Sequence, residues 1–314
     1  MTTAFRWLAA AAFAVGPVAA QGLPLYQSVN PLLTSRSGLY FQPYVDAGRP
    51  WSVRVMTDYA SLVEFAELPR AGLVVDAEVL RVDLSVTRNI GKGFFGASAS
   101  YNGVYAGFMD GFLDWYHNLI GLQVKARALR PKNEYLFAIN LPNGLQLARS
   151  RPAGFAGDVR LVAGHRHTRH WQSVVAVTLP TGPAGFGREA ASVSAITTVR
   201  TSPERRVVGE FSAGLGYVPA RGALAAFQET DFHHLSAGAR ARFWGRQAVF
   251  ANLFYQSRNY QGTTMRPLDQ REVTLDYGFI LRAKKGPEWF LGMTEDVEPK
   301  GPAIDLSFRI GARW

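Results

Sequence analysis

The stretch Ala303-Ile304-Asp305-Leu306-Ser307-Phe308-Arg309-Ile310-Gly311-Ala312-Arg313-Trp314 decides the fold. Ile304, Leu306, Phe308, Ile310, Ala312 and Trp314 are apolar, and polar or small residues separate them. Alternation with a period of two gives a strand with one greasy face and one polar face. The strand runs to the last residue, a large aromatic on the greasy face. A soluble sheet could also use such a strand, so the rest of the chain has to choose.

Upstream the same alternation recurs from Trp51 onward. Trp51, Val53, Val55, Thr57, Tyr59, Ser61, Val63 and Phe65 share one face, and Ser52, Arg54, Asp58 and Glu64 the other. In Leu73–Thr87 the greasy phase switches near Val79-Leu80, which suggests a bulge. Further alternating segments are Phe94–Tyr105, Asp158–His167, His170–Pro180, Ala191–Thr201, Arg206–Val218, Phe232–Trp244, Gln247–Arg258, Arg271–Lys284 and Glu288–Asp296. With the closing strand this is about twelve strands, each long enough to span a bilayer at the usual tilt. The connections are sorted: Asn89 to Gly93, Thr168-Arg169, Thr201 to Arg205, Gly245-Arg246 and Lys285-Gly286-Pro287 are short. Tyr260–Gln270, Ala220–Asp231, Thr181–Ala190 and the stretch 106–156 are long. Short periplasmic turns and long outer loops are the signature of an outer-membrane barrel. The fold class is therefore all-β, a transmembrane antiparallel β-barrel over 51–314.

Composition fits. The chain is 47% hydrophobic, contains no Cys and carries a formal charge of +10. The absence of Cys excludes disulfides, thiolate metal sites and a lipobox. Met1–Ala20 reads as a secretory signal: Arg6, an apolar run from Trp7 to Val15, then Val18-Ala19-Ala20 as the cleavage site. A secreted chain with no helical span crosses a membrane only as a closed barrel, so the expected location is the outer membrane of a Gram-negative bacterium. Outer-membrane lipid and the phosphates of lipopolysaccharide are the natural partners of the basic charge. Nucleic acid is excluded by the leader. Residues 21–50, interrupted by Pro24, Pro31, Pro43 and Pro50, read as a periplasmic arm or a segment in the barrel mouth, with a short strand at Leu39–Val45.

Gly107–Leu122, in the long loop, reads GFMDGFLDWYHNLIGL. Phe108, Phe112, Trp115, Tyr116 and Leu119 share one side of a helical wheel, and Asp110, Asp114, His117 and Asn118 the other, so this is an amphipathic helix. Its aromatic face would cover the mouth or lie at the lipid interface, and its acidic face would be solvated. In the sharper reading Asp110, Asp114 and His117 meet a solute and the helix gates or plugs the barrel. Leu136–Ile139 and Leu145–Leu147 suggest short strands in the same loop.

The chain resembles a family of bacterial outer-membrane β-barrel proteins of unknown function. The resemblance rests on Asn30-Pro31-Leu32, Gly107–Leu122, Gly157-Asp158-Val159-Arg160-Leu161, Leu179-Pro180-Thr181-Gly182 and the alternating C-terminus. A looser similarity runs to outer-membrane transporters for aromatic or fatty compounds. The resemblance implies the fold and the compartment. It also implies that Phe308, Ile310 and Trp314 form the signal read by the barrel-assembly machinery, with Trp in place of the commoner terminal Phe.

Charges facing lipid cost roughly a few kcal/mol each near the midplane, so the charged faces point inward. Arg54, Arg81, Arg160, Arg200, Arg240, Arg242, Arg282 and Arg309 then line the lumen with Asp58, Asp83, Asp158, Glu210, Asp276 and Asp305. They form ion pairs that fill the lumen, or a selectivity lining whose Arg excess favours anions. His234-Leu235-Ser236 contains the His-x-Ser spacing of some membrane lipases, but both polar residues point inward and no orienting carboxylate is identifiable. His165, His167 and His170, with Arg166, Arg169 and Trp171, read as a basic turn at headgroup level rather than a metal site. No cofactor is expected and no catalytic residue is assigned. The functional expectation is a channel or transporter for a small solute. A structural barrel with a closed lumen is the second reading and a lipid-modifying enzyme the third.

Overall fold

A computed structural model describes residues 23–25, 29, 42–68, 71–121, 131–149, 151–183, 189–283, 285–298 and 306–314. The leader 1–20, Asn30-Pro31-Leu32, Asp305 and Leu122 lie outside the described residues.

In chain order the strands are β1 (Trp51–Leu68), β2 (Ala71–Ile90), β3 (Gly93–Tyr105), β4 (Leu136–Asn140), β5 (Gln146–Arg149), β6 (Ala153–Ala156), β7 (Val159–Arg166), β8 (Trp171–Leu179), β9 (Ser192–Arg200), β10 (Val207–Tyr217), β11 (Asp231–Trp244), β12 (Gln247–Gln256), β13 (Glu272–Arg282), β14 (Glu288–Asp296) and β15 (Leu306–Arg313). Helix α1 (Asp110–Ile120) lies between β3 and β4, and the single turn α2 (Arg266–Asp269) between β12 and β13. Twelve of these strands form a closed antiparallel barrel. Each barrel strand pairs with its neighbour, and β15 returns to β1, with Asp58 opposite Arg309 and Arg54 opposite Arg313. Trp314 completes the seam: its N–H donates to the Val53 carbonyl at 2.8 Å, and the Val53 N–H donates back at 3.2 Å. No helix among the described residues is long and apolar enough to cross a membrane.

The outward faces carry the apolar rows that alternation requires. Leu235, Leu253, Phe279, Leu291 and Ile310 are all exposed there. Trp51, Trp171, Trp244 and Trp289 stand at the short-turn end and are 43–78% exposed. Trp314 lies at the same end. This is one aromatic girdle of an outer-membrane barrel, and it marks the periplasmic interface.

Two details differ from the sequence reading. The β1–β2 ladder runs from Trp51 opposite Arg88 to Leu68 opposite Ala71 without a slip, so there is no bulge at Val79-Leu80. Leu73, Val75, Ala77, Val79, Arg81 and Asp83 all face inward and are all buried. The apparent phase switch marks a change in what the interior holds, from ion pairs to an apolar cap. The cap joins Leu62, Leu73 and Val75 to Phe137, Ile139, Leu224, Tyr260, Met265 and Leu268, which come from the long loops. The bulge is instead between β6 and β7. Tyr101 of β3 pairs with Ala156, but Ser98 pairs with Arg160, so one extra residue is accommodated around Gly157-Asp158. The two short strands expected in the long loop are β4 and β5, a hairpin added to the outer end of β2.

Candidate functional site: the lumen and its N-terminal occupant

The described residues of the segment expected to be a periplasmic arm or to lie in the barrel mouth, Leu23–Leu25, Val29 and 42–46, are inside the barrel. Leu23 is buried among Met56, Ala248, Phe250, Phe254, Ile280 and Phe290, all inward residues of the wall. Leu25 packs with Phe94, Val174, Ala176 and Ile196, and Val29 with Ala60, Ala77, Val79 and Val104. The backbone of the segment is hydrogen-bonded to the wall. Glu210 accepts from the Leu23 N–H at 3.3 Å and from the Tyr44 N–H at 3.1 Å. Gln172 accepts from Val45 N–H at 2.8 Å and donates to the Pro43 carbonyl at 3.0 Å, and Thr198 donates to the Gln42 carbonyl at 2.9 Å. Asp46 pairs with Arg200 at 2.6 Å, and the same guanidinium lies 3.7 Å from the Tyr44 ring centroid. Residues 42–45 form no strand. A chain with four prolines cannot extend a ladder, and it satisfies its backbone groups from wall side chains instead.

The charged lining expected from sequence is buried on the inward side: Arg81, Asp83, Arg160, Arg200, Glu210, Arg240, Asp276, Arg282 and Arg309 are each at most 8% exposed. Arg54 shares their face. At mid-height Arg309 donates to Asp58 at 2.6 Å and to Asp276 at 2.9 Å, and Arg81 pairs with Asp83 at 2.8 Å. Nearer the short turns Glu288 pairs with both Arg282 and Arg313. Arg242, at the rim, bonds the Glu204 carbonyl, and Asp158, in the bulge, accepts the Gly182 N–H at 2.8 Å. Arg313, Gln172 and Thr198 are lumen residues that sequence reasoning did not single out. Their parity on β15, β8 and β9 was the available signal.

Helix α1 lies on the outer wall, not in the lumen. Met109 and Leu113 are buried against Leu306, with Tyr59 and Met293 alongside, all outward residues of β15, β1 and β14. Phe108 stacks on Tyr59 at 5.4 Å, Phe112 meets Phe308 at 5.8 Å, and Tyr116 donates to Glu295 at 2.6 Å. The N-terminus is held by Glu78, an outward carboxylate of β2 that accepts the Phe108 N–H at 2.8 Å, the Met109 N–H and the Tyr59 hydroxyl. Covering by the helix explains why Glu78 is only 1% exposed on an outward face. The climb from Trp51 to Tyr59 along β1 is roughly 20 Å at the usual rise and tilt, so α1 lies near the upper margin of an apolar band about 25 Å tall. Phe108, Phe112, Trp115 and Leu119 are exposed there, an arrangement suited to an interfacial helix.

Phe108, Asp110, Phe112, Asp114, Trp115 and His117, expected to bind a solute or gate the barrel, thus belong to a helix on the outer wall. Asp110 accepts the Asn133 N–H at 2.6 Å and Asp114 pairs with Lys132 at 2.6 Å, so the acidic face ties the helix to the following loop. The helix was legible, but its amphipathicity fits a barrel exterior as well as a lumen. Removing Glu78 strips two backbone N–H groups and a hydroxyl of their acceptor. Glu78→Ala is expected to cost about 2–4 kcal/mol and to open the 106–135 segment to protease, with barrel migration on gels unchanged. Limited proteolysis followed by mass mapping checks it.

His234 and Ser236 do face inward, at 0% and 2% exposure, and Ser236 Oγ makes no hydrogen bond to the imidazole. His167 stacks on Trp171 at 4.0 Å and lies 3.0 Å from Ser173 Oγ, as a girdle residue would. Among the described residues no group of three His, Asp or Glu could hold a metal ion.

No family model and no curated protein matches the sequence. Solved structures do match. An outer membrane channel from Pseudomonas putida F1 superposes with a TM-score of 0.51 at 10% identity, over 96% of this chain and 100% of that one. The chain has the fold of an outer-membrane barrel. The monoaromatic hydrocarbon channel CymD gives a TM-score of 0.41 at 14% identity, over 84% of this chain and 87% of its own. The Ralstonia pickettii toluene transporter TbuX gives 0.41 at 9%, over 85% and 88%. These three proteins are described as channels or transporters.

Proposed function

We propose that this barrel is an outer-membrane channel for a small solute, closed at rest by its own N-terminal segment. The observation that carries the reading is the seating of Leu23–Leu25, Val29 and residues 42–46 inside the barrel. They are held by single side chains, Glu210, Gln172 and Thr198, rather than by a strand ladder. A segment held in this way can leave without unpairing the wall. α1 does not occlude the lumen and is assigned no gating role. The outward girdle, the closing strand with Phe308, Ile310 and Trp314, and the basic charge favour outer-membrane lipid, lipopolysaccharide and the assembly machinery as partners.

The test uses the absence of cysteine. Leu23 is buried in one cluster with Ala248 of the wall, so Leu23→Cys with Ala248→Cys places one thiol on the segment and one on the wall, to be joined by oxidation and verified by mass spectrometry. In planar bilayers the oxidised protein is expected to be silent and the reduced protein to conduct. Equal current in both states would refute the N-terminal plug. Silence in both, with the barrel folded, would return the weight to a structural barrel.

A further inference from the structure

One patch of the lumen wall is polar and makes no use of its polarity. His234 and Ser236 on β11, and Asn252 and Gln256 on β12, face inward and are each at most 2% exposed. Both ring nitrogens of His234, the Ser236 hydroxyl, and both amide atoms of Asn252 and of Gln256 lack a hydrogen-bond partner among the described residues. The strands are adjacent and in register: His234 stands opposite Gln256, and Gly238 opposite Asn252. The four side chains therefore form one ladder along the lumen. Gly238 keeps it open, because a Cβ there would lie 2.7 Å from Asn252 Oδ1. The same Cβ would touch Leu23, so the N-terminal segment lies over the lower rung. Phe254, between Asn252 and Gln256 on β12, stacks its ring against His234 at 5.7 Å.

Buried amides and hydroxyls are expensive when unpaired, and native proteins retain them where something else pairs with them. We infer that the β11–β12 wall is a binding track for an uncharged, hydroxyl-bearing solute. The amides and the hydroxyl both donate and accept, which matches solute hydroxyls. The ladder itself is uncharged and its two ends carry opposite signs: Arg240 follows Gly238 on the same face of β11, Glu272 stands opposite Gln256, and Asp276, opposite Asn252, is committed to Arg309 and Thr294. An ion of either sign on the track would lose its water and meet a like charge at one end of it. The Phe254 face suits either a ring or the C–H face of a polyol. The inference rests on the lumen being a solute path, and it names what the path prefers.

Calorimetry on the refolded full chain separates the cases, with phenol, mannitol, toluene and gluconate as probes. Saturable binding of phenol or of mannitol is expected, and which of the two binds identifies the source of the hydroxyl. Asn252→Leu and Gln256→Leu should each weaken it about tenfold, and Ser236→Ala, a substitution the fold should tolerate, by a few-fold. A heat-dependent gel shift verifies that each variant is folded. The inference is overturned if neither hydroxylated probe binds, if toluene binds as well as phenol, if gluconate binds best, or if folded variants bind like the parent. Binding without conduction in the disulfide experiment would sink the channel and keep the track. Conduction without binding would do the reverse.

Discussion

Replacing Arg309 by Met should cost the barrel about 3–5 kcal/mol, the largest loss expected from any single lumen substitution. The guanidinium bridges Asp58 on β1 and Asp276 on β13, and all three side chains are at most 6% exposed. Removing the cation leaves two carboxylates facing each other without water. The cost belongs to the stranded charges rather than to the pair itself. The triple variant Arg309→Met, Asp58→Asn, Asp276→Asn should therefore regain most of the loss. Urea unfolding in lipid vesicles, followed by tryptophan fluorescence, measures both. A triple variant as unstable as the single one would mean that the network contributes packing or register rather than charge balance.

Glu210→Leu should have the largest effect on closure. This one carboxylate accepts backbone N–H groups from two parts of the N-terminal segment, Leu23 and Tyr44. Hydrogen bonds to a charged acceptor are worth about 1.5–3 kcal/mol each. Losing both should shift the seated population by roughly a hundredfold to ten-thousandfold. Silent membranes should then become conducting, with Glu210→Gln between the parent and the Leu variant. Arg240 adds a second consequence. It is diagonal to Glu210 across the β10–β11 ladder and 2% exposed, and its Nε and Nη2 have no hydrogen-bond partner among the described residues. A carboxylate released by the departing segment can turn to it, which lowers the cost of opening. Unchanged current in the folded Leu variant would mean that closure rests on Gln172, Thr198 and the Arg200–Asp46 pair, or on the apolar cap formed by the long loops.

The charged residues also bear on selectivity. Near the short turns Arg54, Arg200, Arg240, Arg282 and Arg313 face Asp46, Glu210 and Glu288, so the periplasmic part of the lumen carries excess positive charge. At mid-height Arg81 and Arg309 face Asp58, Asp83 and Asp276. Such a profile repels neither sign throughout, which is consistent with an uncharged passenger on the β11–β12 ladder.

Much of the architecture was legible in the sequence. Every barrel strand showed as alternation, because one face must meet lipid and the other the lumen. The faces of Arg240, Asp276 and Arg309 followed from parity alone. Where both faces of a strand are covered by protein, the pattern misled. Leu73, Val75, Ala77 and Val79 looked like a change of face because loop residues made their inward side apolar. Glu78 looked like an ordinary outward polar residue because nothing local shows that a helix will dock over it.

The sequence by itself determined the closed antiparallel barrel, its strand faces and the existence of α1, because alternation and helical periodicity are imposed residue by residue by the surroundings. Only the tertiary structure decided that α1 clasps the outside and that Leu23–Leu25, Val29 and residues 42–46 lie inside. Those placements depend on which distant groups, Glu78 for one and Glu210 for the other, stand ready to accept backbone N–H groups that local structure leaves unpaired.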